Sequence, residues 1–250
     1  MKRWLYPLAL LAALIGLWQL AASTGFLAEV MNLEDFLVPS PAEIASQLWE
    51  ERTLLLENGW VTLQEIVLGF LLAVVVGVAF AVAMHFSTTV RLAANPLVIV
   101  SQTIPVIVIA PIFVIWFGFG ITPKLIIIAL ICFFPVTVAT LDGLRSADPA
   151  AIKLMRTLYA SRMQTFRRVE SRGALPSFFS GARIAAAIAP IGAVFAEWAG
   201  ANEGLGRLIL ISNANFQVAL TFAALVVLSA IAIALYALVA LAERRIITWR

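Results

Sequence analysis

Residues 60–84 read WVTLQEIVLGFLLAVVVGVAFAVAM, an apolar run longer than the ~20 residues a helix needs to cross a bilayer core. Five further blocks of the same character flank it, at 4–22, 92–117, 121–141, 178–199 and 219–242. Segments of this length can cross lipid only as helices that satisfy their own backbone hydrogen bonds. The sequence therefore predicts an all-α polytopic membrane protein, six transmembrane helices in one domain over residues 1–250.

Composition points the same way. The chain is 62% hydrophobic and 12% charged, with a mean hydropathy of +1.00, about half the charge of an ordinary soluble domain. A soluble enzyme, a disulfide scaffold and a disordered tail are excluded. Cys132 is the single cysteine and lies inside an apolar block, so it has neither a disulfide partner nor a CxxC metal pair and reads as packing. A net charge of +3 and a pI near 9.4 would imply nucleic acid in a soluble chain; here the lipid bilayer is the partner and no nucleic acid is expected.

The placement of the charges gives orientation. With the amino terminus in the cytoplasm, the inside segments hold Lys2, Arg3, Arg91, Arg145, Lys153, Arg156, Arg162, Arg167, Arg168, Arg172, Arg183, Arg244, Arg245 and Arg250. Of the 17 basic residues, only Arg52, Lys124 and Arg207 fall elsewhere, while the first outer loop carries seven acidic residues between Glu29 and Glu57. This positive-inside asymmetry sets both termini of a multi-pass membrane protein in the cytoplasm. A rival reading takes Lys2, Arg3, the first block and Ala21-Ala22-Ser23 as a cleavable signal peptide; an apolar run longer than ~7–15 residues favours an anchor.

Between Ser23 and Gly59 the pattern is amphipathic. Pro39-Ser40-Pro41 breaks the chain, and Ser40 or Pro41 starts a short surface helix with Ala42, Ile44, Ala45, Leu48 and Trp49 at helical spacing. Within the blocks, Ala73, Gly77 and Ala81 form a small-residue ridge, as do Gly181, Ala185, Ala189 and Ala193; each reads as a site of close helix packing. Pro190 interrupts the second ridge and predicts a kink.

Ser101-Gln102-Thr103-Ile104-Pro105 is unusual at membrane depth. Such polar groups belong against protein or a water-filled path, so Gln102, Thr103 and Pro105 are candidate path residues. Glu197 joins them as an intramembrane carboxylate, with interfacial solvation as the alternative. Motifs for covalent chemistry do not occur: there is one histidine, His85, no HExxH and no GxSxG. Neither is there a GxxxxGK phosphate loop, so energy for uphill transport has to come from another subunit.

The segment 148–172 carries the sharpest signal. Asp148 before Pro149 reads as an N-cap with proline at the first helical position, and Ser161 with Gln164 as a capping box. Two short helices follow, with Ile152, Met155, Tyr159 and Phe166 apolar and Lys153, Arg156, Arg167 and Arg168 basic. A basic loop resting on anionic lipid is the simpler reading, but lipid binding needs no pair of capped helices; a docking surface does.

These residues resemble a known family. Gly143-Leu144-Arg145, Asp148-Pro149, Ala160-Ser161-Arg162, Phe166-Arg167-Arg168-Val169, Ala174-Leu175-Pro176 and Gly181-Ala182-Arg183-Ile184-Ala185 are similar in order and spacing to the permease subunits of bacterial ABC importers of the nitrate, taurine and sulfonate type. That group includes permeases for thiamine-precursor pyrimidines. Leu37-Val38-Pro39-Ser40-Pro41, Trp116-Phe117-Gly118-Phe119-Gly120, Ala196-Glu197, Gly204-Leu205-Gly206 and Glu243-Arg244-Arg245 extend the likeness nearly end to end.

The resemblance implies the type I ABC importer permease fold and a transport subunit rather than an enzyme. It implies a homodimer, an extracytoplasmic solute-binding protein, and separate ABC ATPase subunits that use ATP and Mg while this chain binds no cofactor or metal. Asp148, Ile152, Met155, Arg156, Tyr159, Ser161, Phe166 and Arg167 then belong to the coupling helices that seat in the ATPase. Lys153-Leu154-Met155 replaces the usual Glu-Ala-Ala, Tyr159 the usual glycine, and Ser171-Arg172 the usual Leu-Pro. A bulky residue at the glycine position calls for an altered conformation and a compensating pocket in the ATPase, or weaker coupling.

Two other classes fit less well. A membrane-embedded enzyme would need a nucleophile with its base or clustered acids, and an ion-coupled secondary transporter would need inverted repeats and more buried ionisable groups. For substrate, a small polar organic solute or anion is expected; Phe222-Ala223-Ala224 and Ala234-Leu235-Tyr236 resemble the pyrimidine-precursor subgroup more than the sulfonate one.

Overall fold

The computed structural model describes residues 2–249; Arg250, one of the basic residues assigned to the cytoplasmic side, lies outside them. Among the described residues every regular element is helical. In chain order they are α1 (Lys2–Ser23), α2 (Phe26–Met31), α3 (Pro41–Glu50), α4 (Arg52–Phe86), α5 (Thr88–Thr103) and α6 (Val106–Phe117). The chain continues with α7 (Ile121–Arg145), α8 (Pro149–Thr157), α9 (Arg162–Thr165), α10 (Ser171–Gly200), α11 (Leu205–Ala214) and α12 (Val218–Ile246).

Four of these are long and apolar enough to cross a membrane: α4, α7, the run Arg162–Gly200 that contains α10, and α12. α1 is apolar from Ala9 to Ser23. Where the sequence reading has one span over 92–117, the structure has two helices, α5 and α6, bent by 103°. The cause is local. Pro105 has no N–H to give and disfavours helical geometry in the residue before it; Ile104 is extended (φ −82°, ψ 123°) and Pro105 becomes the N-cap of α6. Pro96 and Pro111 lie inside these helices and do not end them, and α10 runs through Pro176 and Pro190 as one helix rather than stopping there.

The residues group into two compact units. The first takes those up to Val61 together with Glu203–Ser229. Here the box Ser40/Glu43 caps α3, with Pro41 in its first turn, and the Ala42 N–H donates to Gln19 Oε1 at 2.9 Å. Gly204, the N-cap of α11, donates its N–H to Asn58 Oδ1 at 2.8 Å, and the Ser212 and Thr221 hydroxyls meet at 2.9 Å.

The second unit holds Thr62–Asn202 and the chain from Ala230 on. Its centre is the pair α7 and α10, and both predicted ridges are buried in it. A Cβ at Gly181 would strike the Pro135 carbonyl and Ala139, and one at Gly77 would meet Val136 and Thr137. Backbones approach this closely only where small residues leave room. Ala73, Ala81, Ala185, Ala189 and Ala193 are all fully buried. Cys132 is buried here too, its thiol donating to the Ala185 carbonyl at 3.4 Å, in keeping with packing. Outward faces are apolar instead, with Leu68, Leu71, Val75 and Ile115 exposed, the inverse of a soluble bundle.

Candidate functional site

Two places in the second unit carry chemistry, one at the C-terminal end of α4 and one around Thr62 and Glu65, nearer its start. At the first the chain folds as its caps dictate. Asp148 accepts from the Ala150 N–H at 2.8 Å and starts α8 with Pro149 in the first turn. Ser161 and Gln164 cap α9 reciprocally, at 3.2 and 2.8 Å. Between the two helices Tyr159 takes a left-handed conformation, φ +55°, with its side chain 97% exposed. That backbone costs a non-glycine residue about 1–2 kcal/mol, which explains why the resemblance has glycine there.

α9 does not stand alone. After Thr165 the chain makes a π turn over Phe166–Glu170 and continues without a break into α10.

The exposed apolar face also differs from expectation. Leu154, Leu158, Tyr159 and Met163 stand in solvent, whereas Ile152, Met155 and Phe166 are half-buried. Phe166 faces inward because its ring packs against Phe86 and His85, at centroid distances of 4.9 and 6.0 Å. Asp148, Arg156, Ser161 and Arg167 are exposed on the same segment.

Around Thr62 and Glu65 of α4, charge is buried. Lys124 Nζ of α7 donates to Glu65 Oε1 of α4 at 2.5 Å, and the Thr62 hydroxyl donates to Glu197 Oε1 of α10 at 2.6 Å. Glu65 also neighbours the Glu197 carboxyl. Glu65, Lys124 and Glu197 are 2%, 9% and 0% exposed, so this is a closed ionic cluster pinning three helices. Glu197 is thus fully buried within this chain.

Gln102, Thr103 and Pro105 lie at the α5–α6 bend and are exposed, Thr103 returning its hydroxyl to the Val100 carbonyl at 3.0 Å. The structure thus groups these three at the bend and sets Glu197 apart from them in burial. Sequence reasoning missed Glu65 and the pairing role of Lys124. The signal was present, since both are charges inside apolar blocks, the criterion that singled out Glu197.

Residues 69–248 match the family described as binding-protein-dependent transport system inner membrane component. The chain belongs to that family. Its members are transport subunits of ABC importers, with ATP hydrolysis left to a separate ATPase, and this permease spans the membrane several times. It is 41% identical over 234 residues to a probable ABC transporter permease protein of Haemophilus influenzae, covering 94% of this chain and 93% of that one. It is 36% identical over 247 residues to the formylaminopyrimidine transport permease ThiX of Halalkalibacterium halodurans, covering 98% and 96%. In fold, the permease superposes on a chain of the inward-facing MetNI methionine ABC transporter with a TM-score of 0.69, covering 79% of this chain and 98% of that one at 17% identity. The type I importer permease fold is thereby established.

Proposed function

We propose that two copies of this permease enclose a path for a small polar solute of the formylaminopyrimidine kind, delivered by a solute-binding protein outside the cell. The α8–α9 end faces the cytoplasm with both termini and seats on separate ATPase subunits, which bind the ATP and Mg. The work is a population shift between two arrangements of the bundle, driven by the ATPases, with no side chain of this chain in a covalent role.

The observation that carries the docking reading is Tyr159. An aromatic ring held in solvent on a left-handed backbone, flanked by exposed Leu158 and Leu154, has no use within its own chain. It fits a partner with an apolar pocket and acidic rim, matching Arg156 and Arg167 on the same segment. For the substrate, the support is the likeness over nearly the whole chain to a permease named for formylaminopyrimidine. Gln102, Thr103 and Pro105 are the path residues, exposed at a bend that can hinge; Glu197 acts from within the buried cluster.

Co-purification with the ATPase tests the docking reading. Leu158→Asp is expected to abolish it, and an undiminished complex would refute it. Ligand identification on the binding protein tests the substrate class; a ligand lacking an aminopyrimidine would overturn it. Labelling of an Arg167→Cys variant by a membrane-impermeant reagent from outside intact cells would reverse the orientation.

A further inference from the structure

Where α4 ends, five side chains from separate stretches of chain converge. His85 Nε2 lies 2.8 Å from Glu170 Oε2 and 2.9 Å from a guanidinium nitrogen of Arg162. Arg162 also pairs with Glu170 Oε1. Its guanidinium stands over the Phe86 ring, 5.3 Å from the centroid, and Phe86 packs on Phe166. Both oxygens of Glu170 are therefore taken, and the residue is 3% exposed.

Glu170 is the last residue of the π turn. A π turn inserts a residue into the helix and so rotates the helix beyond it by roughly 100° relative to an uninterrupted α-helix. This lets α9 keep its capped start, α10 keep its small-residue ridge against α7, and Glu170 still point at the end of α4.

The chain connects α9 to α10 directly, but nothing covalent connects α9 to α4. The cluster supplies that link. We infer that Glu170, with Arg162 and His85, is a positioning residue that passes movement of the α8–α9 segment to α4. The inference rests on the reading that α8–α9 seats on an ATPase. A carboxylate held by two partners from two elements resists shear better than apolar contact, because displacing either partner leaves one oxygen of a buried carboxylate without its partner.

The test uses the permease–ATPase complex in nanodiscs and needs no transported solute. Spin labels are placed on Ala83→Cys, exposed on α4, or on Lys153→Cys, exposed on α8, leaving the buried Cys132 in place. Distances between the labels of the two permease copies are measured without nucleotide and after trapping with ATP, Mg and vanadate. In the parent, both distances are expected to shift. In Glu170→Gln the α8 shift persists while the α4 shift falls by at least half; His85→Leu does the same and stands in if Glu170→Gln fails to assemble. A merely structural role would diminish both shifts together or neither. An α4 shift that stays full in the variants, or one absent from the parent while α8 moves, overturns the inference and leaves the docking reading standing. An α8 label that does not move in the parent overturns the docking reading itself.

Discussion

Lys124 Nζ lies 2.5 Å from Glu65 Oε1, across 59 residues of sequence and within the packing of α4, α7 and α10. A buried pair of this kind contributes little over an apolar alternative, but losing one partner is costly, about 3–5 kcal/mol, because the other charge stays buried. Lys124→Met leaves the buried Glu65 carboxylate without the cation it pairs with. The purified permease should then unfold at a clearly lower temperature. Adding Glu65→Gln to Lys124→Met should recover part of the loss, and equal stability of Lys124→Met and parent would show the cluster to be unimportant.

Gly181 and Gly173 sit in the same helix and should answer oppositely to alanine. At Gly181 the new methyl meets the Pro135 backbone carbonyl, which cannot move without shifting α7; overpacking of this kind costs about 1–3 kcal/mol. At Gly173 the space is open, and alanine should stabilise the helix by about 0.5–1 kcal/mol. Thermal unfolding of the two variants checks both signs.

Removing the Asp148 cap should loosen α8 without disturbing the spans. Asp→Ala at an N-cap costs about 1 kcal/mol, so amides of residues 150–157 in Asp148→Ala should exchange roughly 5-fold faster while those of α7 are unchanged. Exchange mass spectrometry resolves the two segments.

Tyr159→Gly separates backbone strain from contact. The left-handed position suits glycine, so the isolated permease should be no less stable than the parent. Affinity for the ATPase should nevertheless fall, by about 10-fold for loss of one well-buried aromatic anchor at an interface. Binding of purified ATPase to immobilised permease gives the value; unchanged affinity would leave the ring without a purpose.

The caps were the most legible part of the candidate site. Asp148-Pro149 and Ser161 with Gln164 appear in the structure as the sequence reads, because a cap is an exchange of hydrogen bonds within three residues. Which apolar residues of this segment face outward was not legible. Ile152, Met155 and Phe166 have the right spacing, yet Phe166 is drawn inward by Phe86 and His85, residues some eighty positions earlier.

Sequence alone determined the solvent, the helical class, the small-residue ridges and the helix starts, since each depends on composition or on neighbours within a turn or two. Tertiary structure decided which buried charges meet. Glu65 finds Lys124, Thr62 finds Glu197, and Glu170 finds His85 only once the helices that carry them have packed. No local rule predicts such pairs, because their energy comes from burial and geometry shared among segments that the linear order keeps apart.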